Sequence, residues 1–151
     1  MRYIGGKSNL LNDINNVITQ RMINVNTVID IFSGSGVVSS FLKRNGYNVI
    51  GNDIMYFSYV LSRGSTELNH TPAFANLAIA DPIAFLNNLD IANTDINLED
   101  CFIYQNYSPH DNVARMYFQN DNAIKIDIIR ITIENWHMEH LINDNEYYYL
   151  L

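Results

Sequence analysis

The sequence predicts an α/β fold: part of a parallel β-sheet with helical cover, followed by a mostly helical C-terminal segment. Three observations carry this prediction. A short, β-branched run, Thr27-Val28-Ile29-Asp30-Ile31-Phe32, ends in Ser33-Gly34-Ser35-Gly36. A helical pattern and a second short apolar run follow, closing at Gly51-Asn52-Asp53. Beyond residue 120 the apolar residues recur at helical spacing over a length that strands rarely reach.

Before the first strand, Leu10, Leu11, Ile14, Val17, Ile18 and Met22 fall on one helical face, with Ser8 or Asn9 placed to cap its start. The almost wholly apolar run 27–32 reads as a strand buried on both faces of a parallel sheet. Val37, Val38, Phe41 and Leu42 are in helical register, and Asn45-Gly46 offers the residues that tolerate the left-handed turn ending a helix. Residues 47–50 form the second strand, completing a βαβ unit that requires helical cover. Residues 56–61 continue as helix.

The Asn-rich stretch 67–100 is weakly patterned, with short apolar segments at 74–79 and 83–89. From Asn120, itself a candidate cap, Ala123, Ile124, Ile126, Ile128, Ile129, Ile131, Ile133 and Trp136 fit a long helix; such dense Ile also suits a strand, and length favours the helix. A last helix starts near Asp144, its expected cap, and carries Tyr147-Tyr148-Tyr149-Leu150-Leu151 as core with hydroxyls at the boundary. No Gly, Lys or Pro stop closes it, so the natural polypeptide is expected to continue beyond the sequence.

With 151 residues, 48% of them hydrophobic, the chain is long and apolar enough to bury a core. The formal charge of −7 argues against a general affinity for polyanions, so any nucleic-acid contact is expected to be local. A single cysteine, Cys101, excludes an intrachain disulfide and a Cys-based zinc cluster, and fits a reducing cytoplasm. No apolar run approaches a membrane span, and residues 1–7 lack the apolar core of a secretory signal.

The constellation most suggestive of chemistry is Asp30 to Gly36 between strand and helix, with Asp53 at the next strand tip. Glycines let a ligand approach the backbone, and the helix start offers free N–H groups. An acid at the second strand tip can accept hydrogen bonds from a ribose diol. The residues therefore describe an adenosine-type cofactor site, although a glycine turn without any ligand fits them too. A nicotinamide site asks for a third glycine or alanine where Ser39 stands. Asp30 would repel a pyrophosphate but suits a cationic ammonium or sulfonium, so charge favours S-adenosylmethionine.

Tyr3-Ile4-Gly5-Gly6-Lys7, then Asp30 to Gly36, then Asn52-Asp53, resemble in order and spacing the Dam-like (D12) class of adenine-N6-specific DNA methyltransferases, with its Y/W-x-G-G-K and D-x-F-x-G-S-G elements. Asn106-Tyr107-Ser108-Pro109, Arg115-Met116-Tyr117-Phe118 and Glu146-Tyr147-Tyr148-Tyr149 are similar to that family's central region. The resemblance implies a Rossmann-like S-adenosylmethionine-dependent methyltransferase sheet, methyl transfer to adenine in double-stranded DNA, and a place in a restriction–modification system. It also implies that Tyr3 and Lys7 line the cofactor pocket, that Asp30 with Gly34 and Gly36 holds the methionine part, and that Asp53 binds the ribose.

The family transfers its methyl group with a D-P-P-Y tetrapeptide, which does not occur here, so no catalytic residue is assigned. Asp81-Pro82-Ile83-Ala84 lacks the second proline and the tyrosine and reads as a turn. Residues 1–66 are expected to form the cofactor-binding part of the core. Residues 67–151 are expected to hold its remainder and the start of the target-recognition region, where Arg115, Lys125 and Arg130 are candidates for DNA phosphate contact. His137 and His140 share a helical face without a readable ligand set for a metal. The chain is expected to be the N-terminal part of a longer methyltransferase or to need a complementing chain or homodimer to act; the alternative is a non-catalytic S-adenosylmethionine-binding module.

Overall fold

The computed structural model describes residues 6–94, 96–110, 114 and 116–151. The chain divides into two compact units, Met1–Pro72 and Ala73–Leu151.

In the first unit, β1 (Thr27–Asp30) and β2 (Asn48–Gly51) pair in parallel, with Thr27 opposite Asn48 and Asp30 opposite Gly51. β1 is shorter than the run 27–32, and β2 sits one residue later than expected. Two further backbone bonds, Asn52 N to Asp30 O at 2.8 Å and Ser33 N to Asn52 O at 2.9 Å, stitch the loops beyond the strand tips. Burial of β1 on both faces does not hold. Val28 and Val49 are half-buried, whereas Ile29 and Ile50, on the alternate face, are 60% and 54% exposed. The β-branched composition sets the strand conformation, but burial depends on cover, and among the described residues each strand has one neighbour.

α2 (Val37–Arg44) packs on both strands. It ends as its Asn45-Gly46 pair predicts: Gly46 is left-handed at φ 90°, its N–H bonds Lys43 O at 3.0 Å, and Tyr47 N bonds Leu42 O at 3.2 Å. The buried residues of α2 are Leu42 and, unexpectedly for an apolar face, Ser39. α1 (Leu11–Arg21) is entered through a 3₁₀ turn, Ser8–Leu10, and neither Ser8 nor Asn9 caps it; the turn is closed by Leu10 N on Lys7 O at 2.9 Å. α3 (Tyr56–Ser62) runs into a π turn, Arg63–Glu67. The Lys43 ammonium on α2 donates to Thr66 O and, at 2.6 Å, to Leu68 O, while the Ser40 and Thr66 hydroxyls meet at 3.1 Å.

The second unit is built around Phe74, Leu77, Leu86, Ile133, Trp136 and Ile142. α4 (Pro82–Asn87) begins with Pro82 in its first turn and the Asp81 carboxylate accepting Ala84 N at 2.9 Å, so Asp81-Pro82 starts a helix. Its Phe85 ring lies 5.7 Å from Trp136. α5 (Phe102–Tyr107) is capped from outside: Asp127, almost fully buried, accepts Ile103 N at 3.0 Å and Tyr104 N at 2.8 Å. α6 (Asn120–Met138) is the expected long helix, but the capping position is Gln119 and no side chain bonds there. α7 (Asp144–Leu150) is capped by Asn143 in a reciprocal box with Glu146, not by Asp144. Asp144 instead meets His137 Nε2 at 2.9 Å. Among the described residues no helix is long and apolar enough to cross a membrane.

Candidate functional site

Parallel pairing of Asp30 with Gly51 brings the C-terminal ends of β1 and β2 to the same edge, where ligands of open α/β sheets bind. A cleft of about 480 Å³ opens there, lined by Gly6, Lys7, Asp30, Phe32, Ser33, Gly34, Ser35, Val37, Val38 and Asp53. The volume falls within the range of about 300–1,000 Å³ typical of small-molecule sites.

The loop between β1 and α2 needs its glycines for different reasons. Gly34 (φ 51°) lines the cleft, and its N–H donates to Asp53 Oδ2 at 2.8 Å. Gly36 (φ 72°) is the residue before α2, and a Cβ there would come within 3.3 Å of Ser65 Oγ. It lets the loop lie close to the π turn and does not line the cleft.

The two carboxylates are held differently. Asp53 Oδ1 accepts Met55 N at 3.0 Å while Oδ2 takes Gly34 N, so the acid ties the tip of β2 to the glycine loop. Those two N–H groups, Met55 first and Gly34 second, hold the Asp53 carboxyl below the ordinary aspartate value of 3.8. The Ser58 hydroxyl and the Ile54 N–H add smaller contributions in the same direction. Asp30, half-buried, accepts the Ser39 hydroxyl on Oδ2 at 2.7 Å, and its Oδ1 has no partner among the described residues. Lys7 stands exposed on the rim.

Lys7, Asp30, Gly34 and Asp53 therefore share one cleft, and Gly36 lies behind it. Tyr3 and Arg115 fall outside the described residues. Lys125 donates to Leu89 O, and the Arg130 guanidinium lies 3.4 Å from Asp127 and over the Phe102 ring. His137 stacks on Tyr147 at 4.4 Å. Sequence reasoning missed Val37 and Val38 as lining residues and Ser39 as the support of Asp30, and it gave no individual role to Gly6, Phe32, Ser33 or Ser35 within the motifs it singled out. Phe32 carried a signal, an apolar side chain between a strand tip and a glycine loop, and it is 80% exposed.

Residues 3–151 match the D12 class of N6 adenine-specific DNA methyltransferases. The chain belongs to this family. The whole chain is 39% identical to 23% of the type II methyltransferase M.FokI of Planomicrobium okeanokoites and 38% identical to 24% of the modification methylase LlaI of Lactococcus lactis subsp. lactis. It is 34% identical to 43% of the type II methyltransferase M.NlaIII of Neisseria lactamica. The D12 chain thus spans less than half the length of each of these relatives. No solved structure matches it.

Proposed function

We propose that the strand-tip cleft binds S-adenosylmethionine and that this D12 chain is the cofactor-binding portion of an enzyme that methylates adenine N6 in double-stranded DNA. The observation that carries the reading is the pair Asp30 and Asp53 on the rim of a glycine-loop cleft at the ends of two parallel strands. The fit is electrostatic. Two carboxylates and one ammonium oppose a ligand with two cationic centres and one carboxylate, whereas a pyrophosphate would face both acids.

In this reading Asp30 Oδ1 receives the ligand's α-ammonium, the Asp53 carboxylate takes the ribose hydroxyls, and Lys7 pairs with the ligand's carboxylate. Tyr3 and Lys7 enter from the N-terminal segment, and Gly34 with Gly36 shapes the loop beside the methionine part. When bound, the cofactor supplies an electrophilic methyl group. The strand–loop–helix–strand order supports a Rossmann-like methyltransferase sheet, with residues 1–66 as cofactor-binding part and 67–151 as the remainder of the core and start of target recognition. DNA is bound by the complete enzyme in the cytoplasm, the adenine leaving the stack to reach the methyl. Arg115, Lys125 and Arg130 are the proposed phosphate contacts. A complementing chain or second copy would cover Ile29 and Ile50.

A non-catalytic cofactor-binding module is the second reading, favoured by the absence of D-P-P-Y from the sequence. Calorimetric titration of the chain with S-adenosylmethionine is expected to show one site. Asp30→Ala and Asp53→Ala should each weaken it tenfold or more, since a hydrogen bond to a charged group is worth about 1.5–3 kcal/mol. Absence of binding by the wild type would overturn the cofactor assignment. Methyl transfer to duplex DNA should be absent with this chain alone and appear when a polypeptide carrying D-P-P-Y is added. Continued inactivity with that addition would favour the non-catalytic module.

A further inference from the structure

Ser39 stands on α2 at a position where an apolar residue would be expected, and it is fully buried. A buried hydroxyl costs free energy unless it is hydrogen-bonded. Its bond is the one it donates, at 2.7 Å, to Asp30 Oδ2. The residue opposite Asp30 in the sheet is Gly51, and a Cβ there would lie 3.7 Å from the Ser39 Oγ. The hydroxyl is thus enclosed between the helix and the last residue of β2, with little freedom to leave Asp30. Holding Oδ2 from behind orients the carboxylate and leaves Oδ1, on a residue that lines the cleft, without a partner among the described residues.

We propose that Ser39 is a positioning residue: through Asp30 it sets the preference of the cleft for nucleosides that carry a primary ammonium over the same nucleosides without one. This rests on the cofactor reading above. A merely structural serine would affect all ligands of the cleft alike, whereas one acting through Asp30 affects only those whose ammonium Asp30 meets.

The test compares S-adenosylhomocysteine with 5′-deoxy-5′-methylthioadenosine: both are neutral thioethers of adenosine, and the second lacks the amino-acid group. By calorimetry, Ser39→Ala should weaken S-adenosylhomocysteine about tenfold, the loss expected of a hydrogen bond to a charged group, and leave methylthioadenosine within about twofold. In an Asp30→Ala background, Ser39→Ala should add nothing further. Ser39→Cys, close in volume and a weak donor, should reproduce the selective loss if the alanine variant melts early. Equal losses for both ligands, or a full additional loss in the Asp30→Ala background, would overturn the positioning role while leaving the cofactor reading intact. Failure of the wild-type chain to bind S-adenosylmethionine would overturn both.

Discussion

In the first unit the buried polar residues are Ser33, Ser39, Ser58 and Thr66, and Leu42 is the buried apolar residue among those described. In the second, Phe74, Leu77, Leu86, Ile128, Ile133, Trp136 and Ile142 fill the interior. Hydroxyls contribute little hydrophobic energy but fix direction, because each must aim at a partner. In the first unit Ser33 of the glycine loop meets Ser62 of α3, Thr66 of the π turn meets Ser40 of α2, and Ser39 meets Asp30 behind the cleft. The second unit gains its stability from apolar area and uses its buried carboxylates as caps, Asp127 for α5 and Glu146 for α7. One region is arranged for placing groups, the other for packing.

The largest expected effect tests the packing side. Trp136→Ala should cost about 3–5 kcal/mol in denaturant unfolding followed by circular dichroism, as large-to-small core changes do. A loss below ~1 kcal/mol would mean that the second core does not depend on the ring. Gly46→Ala probes the first unit through the backbone. Nothing lies within 4 Å of the new methyl, so the cost is that of φ 90° alone, about 1–2 kcal/mol. An unchanged unfolding midpoint would show that the helix end can rearrange.

The smallest effect concerns Asp53 and pH. Its pKa is lowered from 3.8, so its contribution to folded stability is present above that value and is lost as pH falls through the lower folded value. Amide exchange at Gly34 and Met55, corrected for intrinsic rates, should lose protection in that acid window. Asp53→Asn should remove the pH dependence while leaving amides of α6 unchanged. Retained protection at Gly34 in acid would detach the glycine loop from the carboxylate.

Much of this arrangement is written in local backbone requirements. The turn at Gly34 and Gly36, the helix end at Asn45-Gly46 and the long α6 are legible because glycine tolerance and helical periodicity act over a few residues. Capping is less so. Asn143 and Asp144 are both competent caps, and the reciprocal bond with Glu146 together with the His137 contact decides between them. In the cleft, Asp30 and Asp53 were readable as strand-tip acids. Ser39 was readable only as the residue standing where a dinucleotide site has glycine or alanine, since its partner lies nine positions back in the chain.

Composition and order by themselves determined the α/β class, the glycine loop, the two acids and the family resemblance. These depend on residue type and spacing. Tertiary structure decided what each group faces: Ser39 inward onto Asp30, Gly36 against the π turn, Lys125 on a carbonyl, Ile29 and Ile50 outward. Burial and hydrogen-bond partnership belong to pairs of segments brought together by folding, so no single segment encodes them.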